Sequence, residues 1–170
     1  LMPVYVEIAG RAYPLRFTLR GALRLLDLTG QTPMELLAPG LRNTALLLYA
    51  ALCDGCPHVT LSQAAALCAA AARERDALSR LLSALALALA ESGLDQTRLD
   101  RDTLRRLLRA ARRAGYPQPL ALLDATYCEL CEALEDFLSR RGAKTAAPMT
   151  DCQMQGVMRA LAERSKHDHP

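Results

Sequence analysis

The stretch LRNTALLLYAALC at residues 41–53 decides the fold class. Its polar side chains, Arg42, Asn43 and Thr44, all lie in the first turn, and the rest of the segment is apolar on every side. A helix that is apolar all round is buried, so this segment predicts a central helix. Leu and Ala supply most of the apolar residues, aromatic residues make up 4% and Trp is absent, which favours a mainly α fold.

The strand-like part of the chain is PVYVEIAGRAYPLRFTL at residues 3–19. Apolar side chains recur at every second position in 4–8 and again in 13–17, a period typical of strands. Gly10 lies between the two runs and predicts the turn, and Pro14 is typical of an edge strand. Because an isolated hairpin is marginally stable, we expect a short N-terminal β-hairpin packed on a helical bundle.

Capping signals divide the rest of the chain into helices. Thr18 predicts the N-cap of a first helix, and Gly30 fits the left-handed position after its end. A threonine followed three residues later by Glu or Gln predicts a capping box, in which each residue bonds the other's backbone N–H. This pattern occurs at Thr32–Glu35, Thr60–Gln63, Thr126–Glu129 and Thr150–Gln153.

The Ala-rich stretch at residues 61–91 is long for a single uninterrupted helix in a small protein. The charged group RERD at 73–76 interrupts its apolar pattern. We therefore expect a break there, with Asp76 as the cap of a second helix.

Composition divides the chain into three parts. The segments ESGLDQT at 91–97 and GAKTAAP at 142–148 are typical of linkers or turns. We expect a domain of hairpin and helices over 3–92, a smaller charged helical module over 94–142, and a linker with a C-terminal helix and a frayed tail over 143–170.

Composition also narrows the functional classes. No run of eighteen uncharged apolar residues occurs, so no membrane span is expected. The first residues lack the basic start and apolar core of a secretory signal, and the six cysteines then indicate a reducing compartment, which we take to be the cytosol. The net charge of +3 is too small to indicate nucleic-acid binding by itself.

Two Cys-x-x-Cys pairs, Cys53 with Cys56 and Cys128 with Cys131, admit three interpretations. Four thiolates on a turn and a helix N-terminus can hold a structural zinc ion. A redox site is a weaker alternative, because Glu129 and the residue after Cys131 disfavour a thiolate. The chain has enough Leu and Ala to form a core without metal, so we favour buried thiols in a reduced protein and expect no cofactor.

Other catalytic signals are sparse. His58 follows a proline, and no serine or aspartate partner for it is indicated by the sequence, while His167 and His169 lie in the expected tail. No phosphate-binding loop, nucleophile elbow or His-Glu-x-x-His motif occurs. The sequence therefore predicts a protein that is not an enzyme.

Five arginines at helical spacing define what we call the basic stripe: Arg98, Arg101, Arg105, Arg109 and Arg112. The stripe belongs to a strongly basic segment at 98–113, and a strongly acidic segment follows at 124–136. We expect the stripe to be solvated or to pair with the acidic segment. The alternative is that it follows the phosphate backbone of a nucleic acid, although no stacking aromatics or known motif accompany it.

The first ninety residues carry a family resemblance. The phrase G-x-x-Y-x-L-x-F leads into a helix that ends with an acidic residue and Thr-Gly, followed by the apolar helix ALLLYAALC and by VTLSQAAAL. This order resembles the tail assembly chaperones of long-tailed bacteriophages, over about residues 4–92. Asp27 stands where the family more often has Glu. The matching residues are Gly10, Tyr13, Leu15, Phe17, Asp27, Thr29 and Gly30.

The resemblance implies a non-enzymatic role in the assembly of a phage or prophage tail, in the cytoplasm of the host cell. Members of this family bind the long helical tape measure protein and help to recruit tail tube subunits. Residues 94–142 are similar to the C-terminal extensions that some members carry, which can arise by programmed frameshift. The alternative function is that of a helical nucleic-acid-binding or adaptor protein that uses the basic stripe.

Overall fold

The computed structural model describes residues 3–95, 100–113, 115–118 and 120–140. This part of the chain is mainly helical with one short antiparallel hairpin, which confirms the predicted fold class. The strands are β1 (Val4–Ile8) and β2 (Arg11–Leu15), the helices are α1 (Leu19–Thr29), α2 (Leu41–Leu52), α3 (Leu61–Ala71), α4 (Ala77–Ser92), α5 (Arg101–Arg113) and α6 (Tyr127–Arg140), and 3-10 turns lie at Glu35–Leu37 and Ala121–Asp124.

The hairpin forms as expected. Its strands pair so that Val4 lies opposite Leu15 and Ile8 lies opposite Arg11. Ala9 and Gly10 make the connecting turn, with φ angles of 51° and 74°. Positive φ at both central residues is the conformation whose twist matches that of the two strands. The buried side chains of the hairpin face the helices, and β1 lies against α4.

Four of the predicted helix starts and stops are confirmed by hydrogen bonds. The Thr18 hydroxyl accepts from the N–H of Gly21 at 3.2 Å, and Gly30 ends α1 with a φ of 71°. Helix α3 starts with both bonds of the capping box formed by Thr60 and Gln63. Helix α6 starts with the same arrangement in the predicted box at residues 126–129.

The helix predicted from Thr32 is only a 3-10 turn. Both capping bonds form, since Thr32 N–H donates to the Glu35 carboxylate at 2.6 Å and Glu35 N–H donates to the Thr32 hydroxyl at 3.4 Å. However, Ala38 precedes Pro39 and is extended, with a ψ of 138°. A residue before proline is disfavoured in the helical region, so too few residues remain for an α-helix.

The break in the 61–91 stretch is confirmed, but the predicted cap is wrong. Helix α3 ends at Ala71 and α4 begins at Ala77. Asp76 precedes α4 with a φ of 62°, and its side chain makes no capping bond. The chain reverses here through a left-handed residue, a conformation that aspartate tolerates better than most residues.

Helix α2 lies at the centre of the core, as its composition predicts. Its buried residues face α1, α3, α4 and β2. Gly21 allows α1 to come close, because a Cβ at this position would lie 2.7 Å from the carbonyl oxygen of Ala50. In the described ranges, none of the helices combines the length and the apolar character that a membrane span needs.

The C-terminal helices pack on this unit. Leu104 and Leu107 of α5 and Leu130 and Leu134 of α6 belong to the same buried cluster as the α2 leucines. The N–H of Leu19 donates to the carbonyl of Ala125 at 2.9 Å, which joins α1 to the segment before α6. The domain boundary near residue 93 remains a prediction. The helix expected from Thr150, and the whole of 143–170, lie outside the described residues.

Candidate partner-binding groove

An open apolar groove of about 400 Å³ lies where α1, α2 and α3 meet. Leu28, Leu41 and Leu61 line it, one from each helix, and they are 56%, 51% and 37% exposed. Single exposed apolar residues are common on proteins, but three that converge on one hollow form a contiguous patch. We call these three residues the groove leucines.

Helix ends position the groove leucines. Leu28 lies in the last turn of α1, while Leu41 and Leu61 are the first residues of α2 and α3. Ala45 and Leu46, on the buried side of α2, also contribute to the lining, and Ala65 and Ala69 contribute from α3. The groove is therefore built from the ends of three helices and one small-residue helix face.

Sequence reasoning did not identify the groove leucines. Their residue type matches that of the core, and buried and partner-facing leucines look alike in a single sequence. The available signal is position, since each lies within two residues of a helix end at Gly30, Gly40 or Thr60. Side chains at helix ends are less enclosed by neighbouring turns than those at the middle.

Helix α3 separates this groove from a second hollow. Residues 61–72 contain no charged side chain, and Ala65, Ala66 and Ala69 are exposed. Small residues on a helix surface permit the close approach of another helix. The second hollow, of about 670 Å³, lies on the other side of α3 and is lined by residues that include Tyr13, Leu52, Cys56, His58 and Leu67. His58 therefore lies among mainly apolar neighbours.

The structure does not place the two cysteine pairs so that they could share a metal ion. Within the described residues, no group of three or more His, Cys, Asp or Glu side chains is placed to hold a metal ion. Cys53 follows α2, where its thiol donates to the Tyr49 carbonyl at 3.1 Å and accepts from Arg24 at 3.0 Å. Cys128 lies beside Gly93, in the first turn of α6.

Buried thiols account for part of the cysteine content. Burial raises the pKa of Cys68 and of Cys131 to about 11. Burial also raises the pKa of Cys128, with a further contribution from the carboxylates of Glu132 and Asp95. These three side chains remain protonated thiols near neutral pH and are poor nucleophiles.

Among the described residues, the arginines of the basic stripe form no ion pair with the acidic segment. Arg101 pairs with Asp27 of α1, and Arg105 lies 3.7 Å from Asp102 within α5. Arg109 and Arg112 are exposed and form no ion pair in the part of the chain that the structure describes. Arg98 lies outside the described residues. Of the two expectations for the stripe, solvation holds for Arg109 and Arg112.

The acidic segment instead pairs with the loop after the hairpin and with α1. Arg16 donates to Glu129 at 2.5 Å and to Asp54 at 2.8 Å, so it joins α6 to the turn after α2. Arg20 of α1 donates to Asp124 at 2.6 Å. Of the two alternatives for the stripe, pairing with the acidic segment is not observed for its described arginines, because opposite charges near in sequence need not be neighbours in the fold.

Comparison of this chain with protein-family models, with curated proteins and with solved structures finds no significant match. The family resemblance therefore rests on the sequence phrase at residues 10–30 and the order of elements after it.

Proposed function

We propose that this chain is a non-enzymatic tail assembly chaperone of a phage or prophage, and that the groove leucines hold helical segments of the tape measure protein. The observation that carries the proposal is the apolar groove between α1, α2 and α3. It lies in the part of the chain that resembles this family. An amphipathic helix lays its apolar face into such a groove in one recurring mode of peptide recognition.

The groove has the chemistry for weak and reversible binding of an apolar helix face. Burying the exposed part of each groove leucine contributes about 1 kcal/mol. Association of two molecules costs at least about 4 kcal/mol in lost freedom, so one groove alone gives low affinity. A chaperone that keeps a long partner soluble and then leaves the finished tail needs binding of this reversible kind.

The neighbouring surface of α3 extends the groove. Its exposed alanines add apolar area without charge, and their small size allows a partner helix to lie close to the backbone. The proposal places the protein in the host cytoplasm and assigns the recruitment of tail tube subunits to a surface outside the groove.

Co-expression tests the proposal. The gene should lie between a tail tube gene upstream and a very long helical reading frame immediately downstream. We expect the wild-type chain to raise the soluble fraction of that long protein several-fold. A variant with Leu28→Gln, Leu41→Gln and Leu61→Gln should abolish the gain, because each substitution places an amide in the apolar groove.

Leu87→Gln is the matched control. Leu87 lies on α4 outside the groove and is 52% exposed, close to the exposure of Leu28. The control should retain the solubility gain, and circular dichroism should show the same helix content in all variants. If the groove variant supports the long protein as well as the wild type does, the groove is not the binding site. If the gene lies far from any tail cluster, the chaperone proposal fails as a whole.

A further inference from the structure

A third hollow, of about 690 Å³, lies beside the C-terminal half of α5 and combines apolar and basic side chains. Leu108 and Leu120 supply the larger apolar side chains, and Leu120 is 70% exposed. Arg109 and Arg112 supply two guanidinium groups. We propose that this hollow binds an acidic amphipathic helix of a partner protein.

The two arginines are available for a partner. They are exposed, lie three residues apart in one helix, and form no ion pair within the described ranges. By contrast, Arg101 and Arg105 of the same helix already have carboxylate neighbours. Side chains three apart on a helix lie about 5–6 Å from each other, so carboxylates one turn apart on a partner helix can meet both.

The apolar residues define the rest of the partner. Leu120, Pro117 and Ala121 lie on the segment that follows α5, across from Leu108. A partner that offered only carboxylates would leave these side chains exposed to water. An amphipathic helix with a leucine-rich face and Glu or Asp along its margin satisfies both halves of the hollow.

Neither helix α6 nor the charge of residues 141–170 favours this chain itself as the partner. Helix α6 is acidic, but it buries its own leucines in the core, so a second copy offers carboxylates without a free apolar face. Residues 141–170 carry five basic and three acidic side chains, so their charge does not complement two arginines.

A nucleic acid fits the hollow less well. Phosphates would engage Arg109 and Arg112 but would leave the apolar side unused. Single-stranded nucleic acids bind by stacking their bases on aromatic rings. The nearby Tyr116 ring already packs edge-on against Phe137, with 5.2 Å between the ring centroids. The hollow therefore favours a protein helix.

Binding of synthetic peptides to the whole chain, measured by fluorescence anisotropy, tests the proposal. The probe is a labelled helical peptide of about 14 residues, with leucines three and four apart and glutamates beside them. A second probe replaces glutamate with lysine, and a third is a duplex DNA of about 20 base pairs. We expect the wild type to bind the glutamate peptide in preference to the other two.

Charge reversal provides the decisive variants. Arg109→Glu with Arg112→Glu should weaken binding of the glutamate peptide roughly tenfold and strengthen binding of the lysine peptide. Arg105→Glu with Arg106→Glu changes the net charge equally on the same helix and should have less than about a threefold effect. Leu120→Gln should also weaken binding several-fold, and its exposed position leaves folding intact.

Three results would contradict the proposal. Equal weakening by both arginine pairs would show diffuse attraction rather than a site. Failure of the wild type to bind the glutamate peptide, or a duplex that competes with the peptide and depends on Arg109 and Arg112, would overturn the proposal.

Discussion

Helix α2 is surrounded by apolar side chains, whereas helix α6 meets the rest of the protein through both leucines and an ion pair with Arg16. The buried face of α2 is made of Ala, Leu and Thr side chains, and α2 packs against α1, α3, α4, β2 and the 3-10 turn at Glu35–Leu37. Glu129 of α6 pairs with Arg16, which lies 113 residues earlier in the chain. The location of α2 follows from its own composition, but that of α6 depends on partners far away in sequence.

This difference has consequences for stability. The contacts of α2 are numerous, non-directional and insensitive to pH, because they bury apolar surface. The polar contacts of α6 are few and directional, and they change when a carboxylate is protonated. Substitutions in the two regions should therefore differ in size and in their dependence on pH.

The largest expected effect is that of Leu47→Ala in α2. Leu47 is fully buried, so its truncation should lower the free energy of unfolding by about 3 kcal/mol. Urea unfolding followed by circular dichroism gives the value. Leu87→Ala, at an exposed position of α4, is the control and should change stability by less than about 0.5 kcal/mol. A loss below about 1 kcal/mol for Leu47→Ala would contradict the central position of α2.

The next prediction concerns the contact between α4 and α6. Gly93 and Gly30 both end helices with a positive φ, of 75° and 71°. A Cβ at Gly30 meets nothing within 4 Å, but one at Gly93 would lie 2.6 Å from the Cys128 sulfur. Gly30→Ala should lower the free energy of unfolding by about 1 kcal/mol through backbone strain, and Gly93→Ala by about 1 kcal/mol more.

The double variant Gly93→Ala with Cys128→Ala sharpens this comparison. Removal of the sulfur takes away the closest atom, so the substitution at Gly93 should be less destabilising in the Cys128→Ala background. Equal effects of Gly93→Ala and Gly30→Ala would contradict the packing of α6 against the end of α4. Denaturant unfolding of the single and double variants provides these values.

A smaller effect is expected at Glu129. Partial burial opposes its ionisation, but the hydrogen bond from Thr126 and the guanidinium of Arg16 outweigh this, so the pKa of the carboxyl is below its usual value. Such a group stabilises the fold above its unfolded pKa, and this contribution is lost as the pH falls through the folded pKa. Glu129→Gln should lower the free energy of unfolding by about 1–2 kcal/mol at pH 7.

The pH dependence distinguishes this loss from a packing effect. The difference between wild type and Glu129→Gln should shrink as the pH falls below about 4, because the wild-type carboxyl is then protonated too. Glu132→Gln, at an exposed position of the same helix, is the control. A difference that stays constant from pH 7 to pH 3 would show that the ion pair with Arg16 contributes nothing.

The smallest effect is expected for Arg20→Ala. Arg20 pairs with Asp124, and the side chains are 46% and 60% exposed. Exposed pairs contribute about 0–1 kcal/mol, so the loss of stability should lie in this range and should diminish in high salt. Thermal unfolding at low and high salt measures it. A loss above about 2 kcal/mol would mean that this pair is a principal anchor of the C-terminal segment.

Local signals in the sequence predicted much of the fold. Thr18, Gly30 and the box at Thr60 were correct because capping depends on residues within one or two turns. The same box at Thr32 was correct in its bonds but wrong in the helix it implied. Pro39 follows Glu35 by only four residues and keeps Ala38 out of the helical conformation, so no full α-helix forms.

Long-range contacts could not be predicted in the same way. The acidic segment follows the basic helix α5 in the sequence, which favoured pairing between the two. Its carboxylates Glu129 and Asp124 instead pair with Arg16 and Arg20, which lie just after the hairpin. The candidate groove could not be predicted either, because it forms only where three helix ends pack together. Nothing in the sequence itself distinguishes Leu28 from a core leucine.

The most direct test of the proposed chaperone function is hydrogen exchange of this chain, alone and in complex with the long helical protein expected from the downstream gene. We expect slower exchange at the end of α1, at the start of α2 and along α3, with exchange in α5 unchanged by that partner. Unchanged exchange throughout α3 in a complex that demonstrably forms would contradict the claim that the groove leucines hold the partner helix.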